Sequence, residues 1–168
     1  GRKNSKKRNH INYFLTEYDG RFEYRLLGKE DFDDCRALLD EWTINKEEND
    51  NIEEGVDDER SGIEKLFTHY DQICDRLKIA GIYIDGKLEA FTMGELLNKN
   101  MALIHIEKAN PEIRGLYPYI NQQFLVHEFP EVEFVNREED MGIEGLRKAK
   151  LSYHPCKLVE KYTVREAN

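Results

Sequence analysis

The sequence predicts a mixed α/β (α+β) fold: a central mixed, mostly antiparallel sheet with flanking helices. Three observations carry that expectation. The apolar pattern changes from helical spacing to short strand-like runs after residue 77. Two of those runs are joined by Asp85-Gly86, a dipeptide suited to a tight hairpin. A helical stretch then separates two further strand runs, 101–107 and 132–136, which makes that pair parallel with a right-handed crossover.

Taken in order, 22–27 alternates as a strand, and Asp31 opens an amphipathic helix through Phe32, Cys35, Leu38, Leu39 and Trp42. Ser61 and Glu64 form a capping box for a second helix, with Ile63, Leu66, Phe67, Tyr70, Ile73, Cys74 and Leu77 on its apolar stripe. Strands over 79–84, 88–95 and 101–107 form a meander. A helix over 116–129, a strand over 132–136, a helix over 140–152 and a strand over 158–164 complete the order β-α-α-β-β-β-α-β-α-β. The reading is one domain over 1–168, with 1–18 as a basic arm or interdomain linker carrying Arg2, Lys3, Lys6, Lys7 and Arg8.

The 168 residues are 39% hydrophobic and 35% charged, the profile of a soluble globular protein, and exclude collagen and low-complexity disorder. With 25 basic against 34 acidic residues the net charge is -9, which argues against undirected binding to phosphate backbones or anionic lipid. Nine carboxylates crowd 47–64 and read as an exposed acidic loop. Cys35, Cys74 and Cys156 lack paired spacing, so no metal site or disulfide framework is expected; the first two read as core. Neither a signal peptide nor a membrane span is visible, and with reduced thiols this points to the cytoplasm. The first residue is Gly1 rather than Met, the pattern of a fragment or processed chain.

Ligands of open sheets sit at strand carboxyl ends beside helix N-termini, here near residues 107–108 and 136–137. Strand alternation puts Leu103, His105 and Glu107 on one face, so His105 and Glu107 are expected as neighbours in general base work. Lys108 follows at the strand end. Asn136 and Arg137 are suited to a carboxylate or carbonyl, while Asp140 caps the next helix. Arg147, Lys150 and Tyr153 fall at i, i+3 and i+6, cations for an anionic donor and a tyrosine able to protonate a leaving group. Gly115, Tyr117 and Tyr119 open the crossover helix, where a glycine admits a ligand close to the backbone.

The runs Ile104-His-Ile-Glu-Lys-Ala109, Gly115-Leu-Tyr-Pro-Tyr-Ile-Asn121 and Asn136-Arg-Glu-Glu-Asp-Met-Gly-Ile-Glu-Gly-Leu-Arg-Lys-Ala-Lys-Leu-Ser-Tyr-His-Pro155 resemble a bacterial family related to the C-terminal domain of phosphatidylglycerol lysyltransferase. The resemblance implies the acyl-CoA N-acyltransferase (GNAT) fold and a tandem protein of which this chain is the C-terminal half, packed on an N-terminal GNAT-like domain. It also implies a pyrophosphate loop ahead of the crossover helix. That loop usually reads Gln/Arg-x-x-Gly-x-Gly/Ala, and this chain has Gly115 without a second glycine.

Two functions follow. The first is a soluble acyl- or aminoacyltransferase with an amine or hydroxyl acceptor and acyl-CoA or aminoacyl-tRNA as donor, without DNA or a metal. In it Glu107 takes the amine proton, backbone N–H groups after Ala109 hold the oxyanion, Asn136 and Arg137 orient the acceptor, and Arg147, Lys150 and Tyr153 meet the donor. The second is a non-catalytic ligand-binding or interaction domain, in which Glu107, Lys108, Arg147 and Asp140 form a buried ion-pair network.

Overall fold

A computed structural model describes residues 4–48 and 56–165, without the side chains of 46–48 and 56–58. The chain divides into two compact units, Gly1–Glu138 and Glu139–Asn168. The first holds α1 (Ser5–Glu17), β1 (Phe22–Leu26), α2 (Phe32–Glu48), α3 (Val56–Thr68), the short α4 (Tyr70–Ile73), β2 (Lys78–Ile84), β3 (Lys87–Asn98), β4 (Met101–Ala109), α5 (Leu116–Glu128) and β5 (Phe134–Asn136). The second holds α6 (Glu144–Leu151). Among the described residues no helix is long and apolar enough to cross a membrane.

The sheet runs β1-β2-β3-β4-β5, antiparallel except for the expected parallel pairing of β4 with β5. Asp85 and Gly86, both at positive φ, make the expected hairpin turn. The β4–β5 ladder is short: Met101, Ala102 and Leu103 face Phe134, Val135 and Asn136, and the pairing stops there.

Several expectations are corrected. The basic arm is a helix: α1 buries Ile11 and Phe14 against Ile82, Ile84, Leu116 and Ile120. Lys6 and Arg8 are exposed and Lys7 is half-buried, and this charge run concealed the apolar residues of the same helix. The proposed capping box is internal, because α3 starts at Val56 and Arg60 pairs with Asp40 of α2 at 2.6 Å. The acidic loop over 47–64 lies partly outside the described residues, and its described later part belongs to α3. Cys35 is fully buried, with its thiol pushed up to about 12 by desolvation, whereas Cys74 ends α4 half-buried. No strand forms over 158–164; within its own unit that segment has no sheet edge to pair with, and it lies exposed.

Apolar residues cover both faces of the sheet. One face packs Ile79, Tyr83, Phe91 and Met93 against α2 and α3 through Phe32, Cys35, Leu38 and Ile63. The other packs Ile82, Ala90 and Ala109 against α1 and α5, continued by Ile104 with Phe124 and Phe129. Phe14 is the centre of an aromatic cluster, with ring centroids 5.2 Å from Tyr18, 5.0 Å from Phe22 and 4.8 Å from Tyr119. Phe14→Ala is expected to lower unfolding free energy by about 3–5 kcal/mol in a urea titration. A change below about 1 kcal/mol would mean that α1 is dispensable to the core.

Candidate functional site

The site begins with one surplus residue in β4. Met93 pairs with Ile106 and the next residue, Gly94, with Ile104, so His105 is a bulge without a partner on β3. The surroundings suit it. A Cβ on Gly94 would stand 2.7 Å from the Leu103 carbonyl and 3.0 Å from Phe124, so only glycine lets β4 and α5 close in there. The buried Thr92 hydroxyl donates to the Ile106 carbonyl at 2.8 Å.

The bulge resets the alternation of side chains. Ile104 and Glu107 lie on the α5 face, while His105 and Ile106 both turn to the α3 face. The expected His105–Glu107 neighbourhood is therefore corrected: period-two alternation holds only without the extra residue.

On the α3 face a cavity of about 580 Å³ opens between α3, the stretch from Ile73 to Leu77, and β3 and β4. Its apolar wall is Ile63, Leu66, Ile73, Leu77 and Ile106. His105 enters it with Nδ1 2.8 Å from Glu138 Oε1 and Nε2 3.1 Å from Glu95 Oε1. Glu138 is held in a left-handed conformation, φ 54°, and its backbone N–H donates to Asn136 Oδ1 at 2.8 Å. Asn136 thus positions the residue that positions His105. A non-glycine residue at positive φ stores strain, which recurs at functional sites.

On the opposite face Glu107 accepts from Asn121 Nδ2 at 2.8 Å and from Arg137 Nη2 at 2.8 Å, with its side chain only 11% exposed. Lys7 of α1 adjoins this cluster. Desolvation and the Arg137 guanidinium lower its pKa, and Glu107 opposes them. Of the residues expected to form an ion-pair network, Glu107, Lys108, Arg147 and Asp140, each is described within its own unit. Glu107 pairs with Arg137, and Lys108 pairs with Glu59 at 2.5 Å while lying 3.5 Å over the Trp42 ring. Within the second unit Arg147 grips Asp140 at 2.6 Å, which lowers the Asp140 pKa, and Lys150 donates to the Glu139 carbonyl. Tyr153 lies in the turn after α6 rather than on the helix.

The three residues expected to meet a cofactor are engaged in packing. A Cβ on Gly115, φ 91°, would stand 2.1 Å from the His10 carbonyl oxygen, so the backbone of α1 occupies the close approach that the glycine permits. The Tyr117 hydroxyl accepts from Trp42 Nε1 at 3.1 Å, and Tyr119 is buried against Phe14 and Phe22.

Glu95, Glu138 and Arg76 also line the cavity, and the sequence reading did not single them out as site residues. Glu138 lay inside the polar run after β5, and its selection needed the bulge that turns His105 toward it.

Residues 1–165 match the family model described as phosphatidylglycerol lysyltransferase, C-terminal. An uncharacterized protein of Mycoplasmoides gallisepticum is 26% identical over 98% of this chain and 51% of its own length. A conserved protein of unknown function from Bacteroides thetaiotaomicron superposes with a TM-score of 0.84 at 37% identity, over 94% of this chain and 52% of that one. The chain thus spans about half the length of both. A ribosomal-protein-alanine N-acetyltransferase from Brucella melitensis, 14% identical, superposes with a TM-score of 0.58 over 87% of this chain and 99% of its own. The fold is that of the N-acetyltransferases. A further neighbour of that fold, from Clostridium acetobutylicum, was solved with acetyl-CoA, with a TM-score of 0.55 at 10% identity over 86% of this chain and 96% of that one. The residues that open α5 here do not fit such a group: α1 fills the approach to Gly115, and Tyr117 and Tyr119 turn inward.

Glu107→Ala leaves Arg137 and Asn121 without their acceptor, and a loss of about 2–3 kcal/mol in chemical denaturation is expected. Unaltered stability would show that the cluster does not hold α5 and β5 to β4.

Proposed function

Because the chain belongs to the phosphatidylglycerol lysyltransferase C-terminal family, we propose that it is an N-acyltransferase-like enzyme that moves an acyl or aminoacyl group from an activated donor onto an amine bound beside His105. The observation that carries this reading is the histidine itself, delivered by a bulge into a cavity and flanked by Glu138 and Glu95.

A neutral imidazole whose Nδ1–H donates to Glu138 presents the Nε2 lone pair to Glu95. Nε2 and Glu95 Oε1 then lie 3.1 Å apart as adjacent acceptors, and an amine N–H arriving at their edge from the cavity can donate to Nε2. The free amine attacks the donor's carbonyl carbon, forming the N–C bond. Nε2 takes the proton that the nitrogen sheds and returns it to the leaving group as the C–O bond of an ester, or the C–S bond of a thioester, breaks. Asn136 and Glu138 are positioning residues in this scheme, and Glu107 with Arg137 and Asn121 keeps the strand ends in place.

The packed start of α5 supports a donor that needs no pyrophosphate cradle there, and an aminoacyl ester such as charged tRNA meets that condition. The fold neighbours named as acetyltransferases support the reaction type.

In the full-length natural protein, given aminoacyl-tRNAs and acyl-CoAs with a panel of amines, His105→Gln is expected to lower kcat by about 10²–10⁴-fold with the melting temperature nearly unchanged. Mass spectrometry of the acceptor reads the product. Full activity in His105→Gln would overturn the role of the histidine, and transfer from acyl-CoA alone would overturn the donor assignment.

A further inference from the structure

We propose that the acceptor in this cavity is an amino carboxylate, an amino acid or short peptide with an apolar body, whose ammonium is met by Glu95 beside His105 and whose carboxylate is met by Arg76. The word acceptor rests on the acyl-transfer reading; the binding chemistry rests on the cavity alone.

The lining has three parts, and each selects a portion of the ligand. The wall of Ile63, Leu66, Ile73 and Ile106 offers contact to an aliphatic or aromatic body. At about 580 Å³ the space suits a small molecule of the size of an amino acid or dipeptide.

The acidic side of the cavity selects a cation. Glu95 and Glu138 bracket His105, and Glu59 borders the same cavity beside Lys108. An ammonium seated on the cavity side of Glu95, next to the imidazole, gains a charge-assisted hydrogen bond to the carboxylate.

Arg76 selects an anion. It borders the cavity from the segment after α4 and forms no ion pair with any described residue, in a chain carrying nine more acids than bases. Its guanidinium suits a carboxylate, which it can grip with two parallel bonds. That contact also separates acceptor from donor. An aminoacyl group bound through its ester has an amine but no free carboxylate, and so has nothing to offer Arg76.

The test is isothermal titration of the full-length natural protein with L-leucine, with the dipeptide Leu-Leu and with L-leucinamide, which keeps the ammonium and apolar body but lacks the carboxylate. Binding of leucine or of the dipeptide is expected, the two arms reporting which length fits, with leucinamide at least about tenfold weaker. Arg76→Gln should abolish that difference and leave the melting temperature unchanged, since the side chain is exposed. Equal binding of leucinamide, a difference that survives Arg76→Gln, or no binding of any of the three would overturn the proposal. Failure of the acyl-transfer reading looks different: leucine or the dipeptide binds as expected, with leucinamide weaker, yet no donor yields an acylated product.

Discussion

One inserted residue governs this molecule. Because β4 carries His105 where β3 has no counterpart, the strand's faces exchange at that point, and the polar residues of its second half are dealt to opposite sides of the sheet. His105 turns to the cavity. Glu107 turns to α5, where Arg137 pairs with its charge and Asn121 donates a hydrogen bond to it in a largely buried cluster. The same step in register lies just past the three residue pairs that join β4 to β5, so the strands part where the histidine enters. Gly94 opposite, and the Thr92 hydroxyl on the Ile106 carbonyl, make the irregularity a packed feature.

The second constraint is the filling of the α5 N-terminus. In this fold a helix that follows a strand and a glycine presents free N–H groups at its start, which suits a phosphate. Here α1 lies against Gly115, and Phe14 organises Tyr18, Phe22 and Tyr119 around itself. The residues that open α5 are thus spent on packing the core. The cavity lies on the opposite face of the sheet, beside α3.

Much of the fold is legible in the sequence. The Asp85-Gly86 turn, the three-strand meander and the parallel β4–β5 crossover all follow from local period and turn chemistry, which act over a few residues and leave a clear pattern. The motif runs around Ile104–Ala109 and 136–155 pointed to the right family. The site was less legible. A bulge leaves no period of its own, since Leu103-Ile104-His105-Ile106-Glu107 reads as perfect alternation until the partner strand is known. Helix α1 was hidden because its lysines and arginine dominate its composition while two apolar residues, Ile11 and Phe14, carry its packing. Arg76 gave no signal at all, because its place beside the cavity depends on how α4 turns into β2.

The division of labour between the two faces of β4 can be read directly from the His105 ring. Long-range ¹H–¹⁵N NMR on the full-length natural protein would follow its two nitrogens in wild type, Glu138→Gln and Glu107→Gln. The expected result is that both ring nitrogen shifts move in Glu138→Gln, with Nδ1 losing its charged acceptor, and stay in place in Glu107→Gln. Ring shifts that respond to Glu107 and ignore Glu138 would contradict the placement of His105 in the cavity, and with it the catalytic role assigned to that residue.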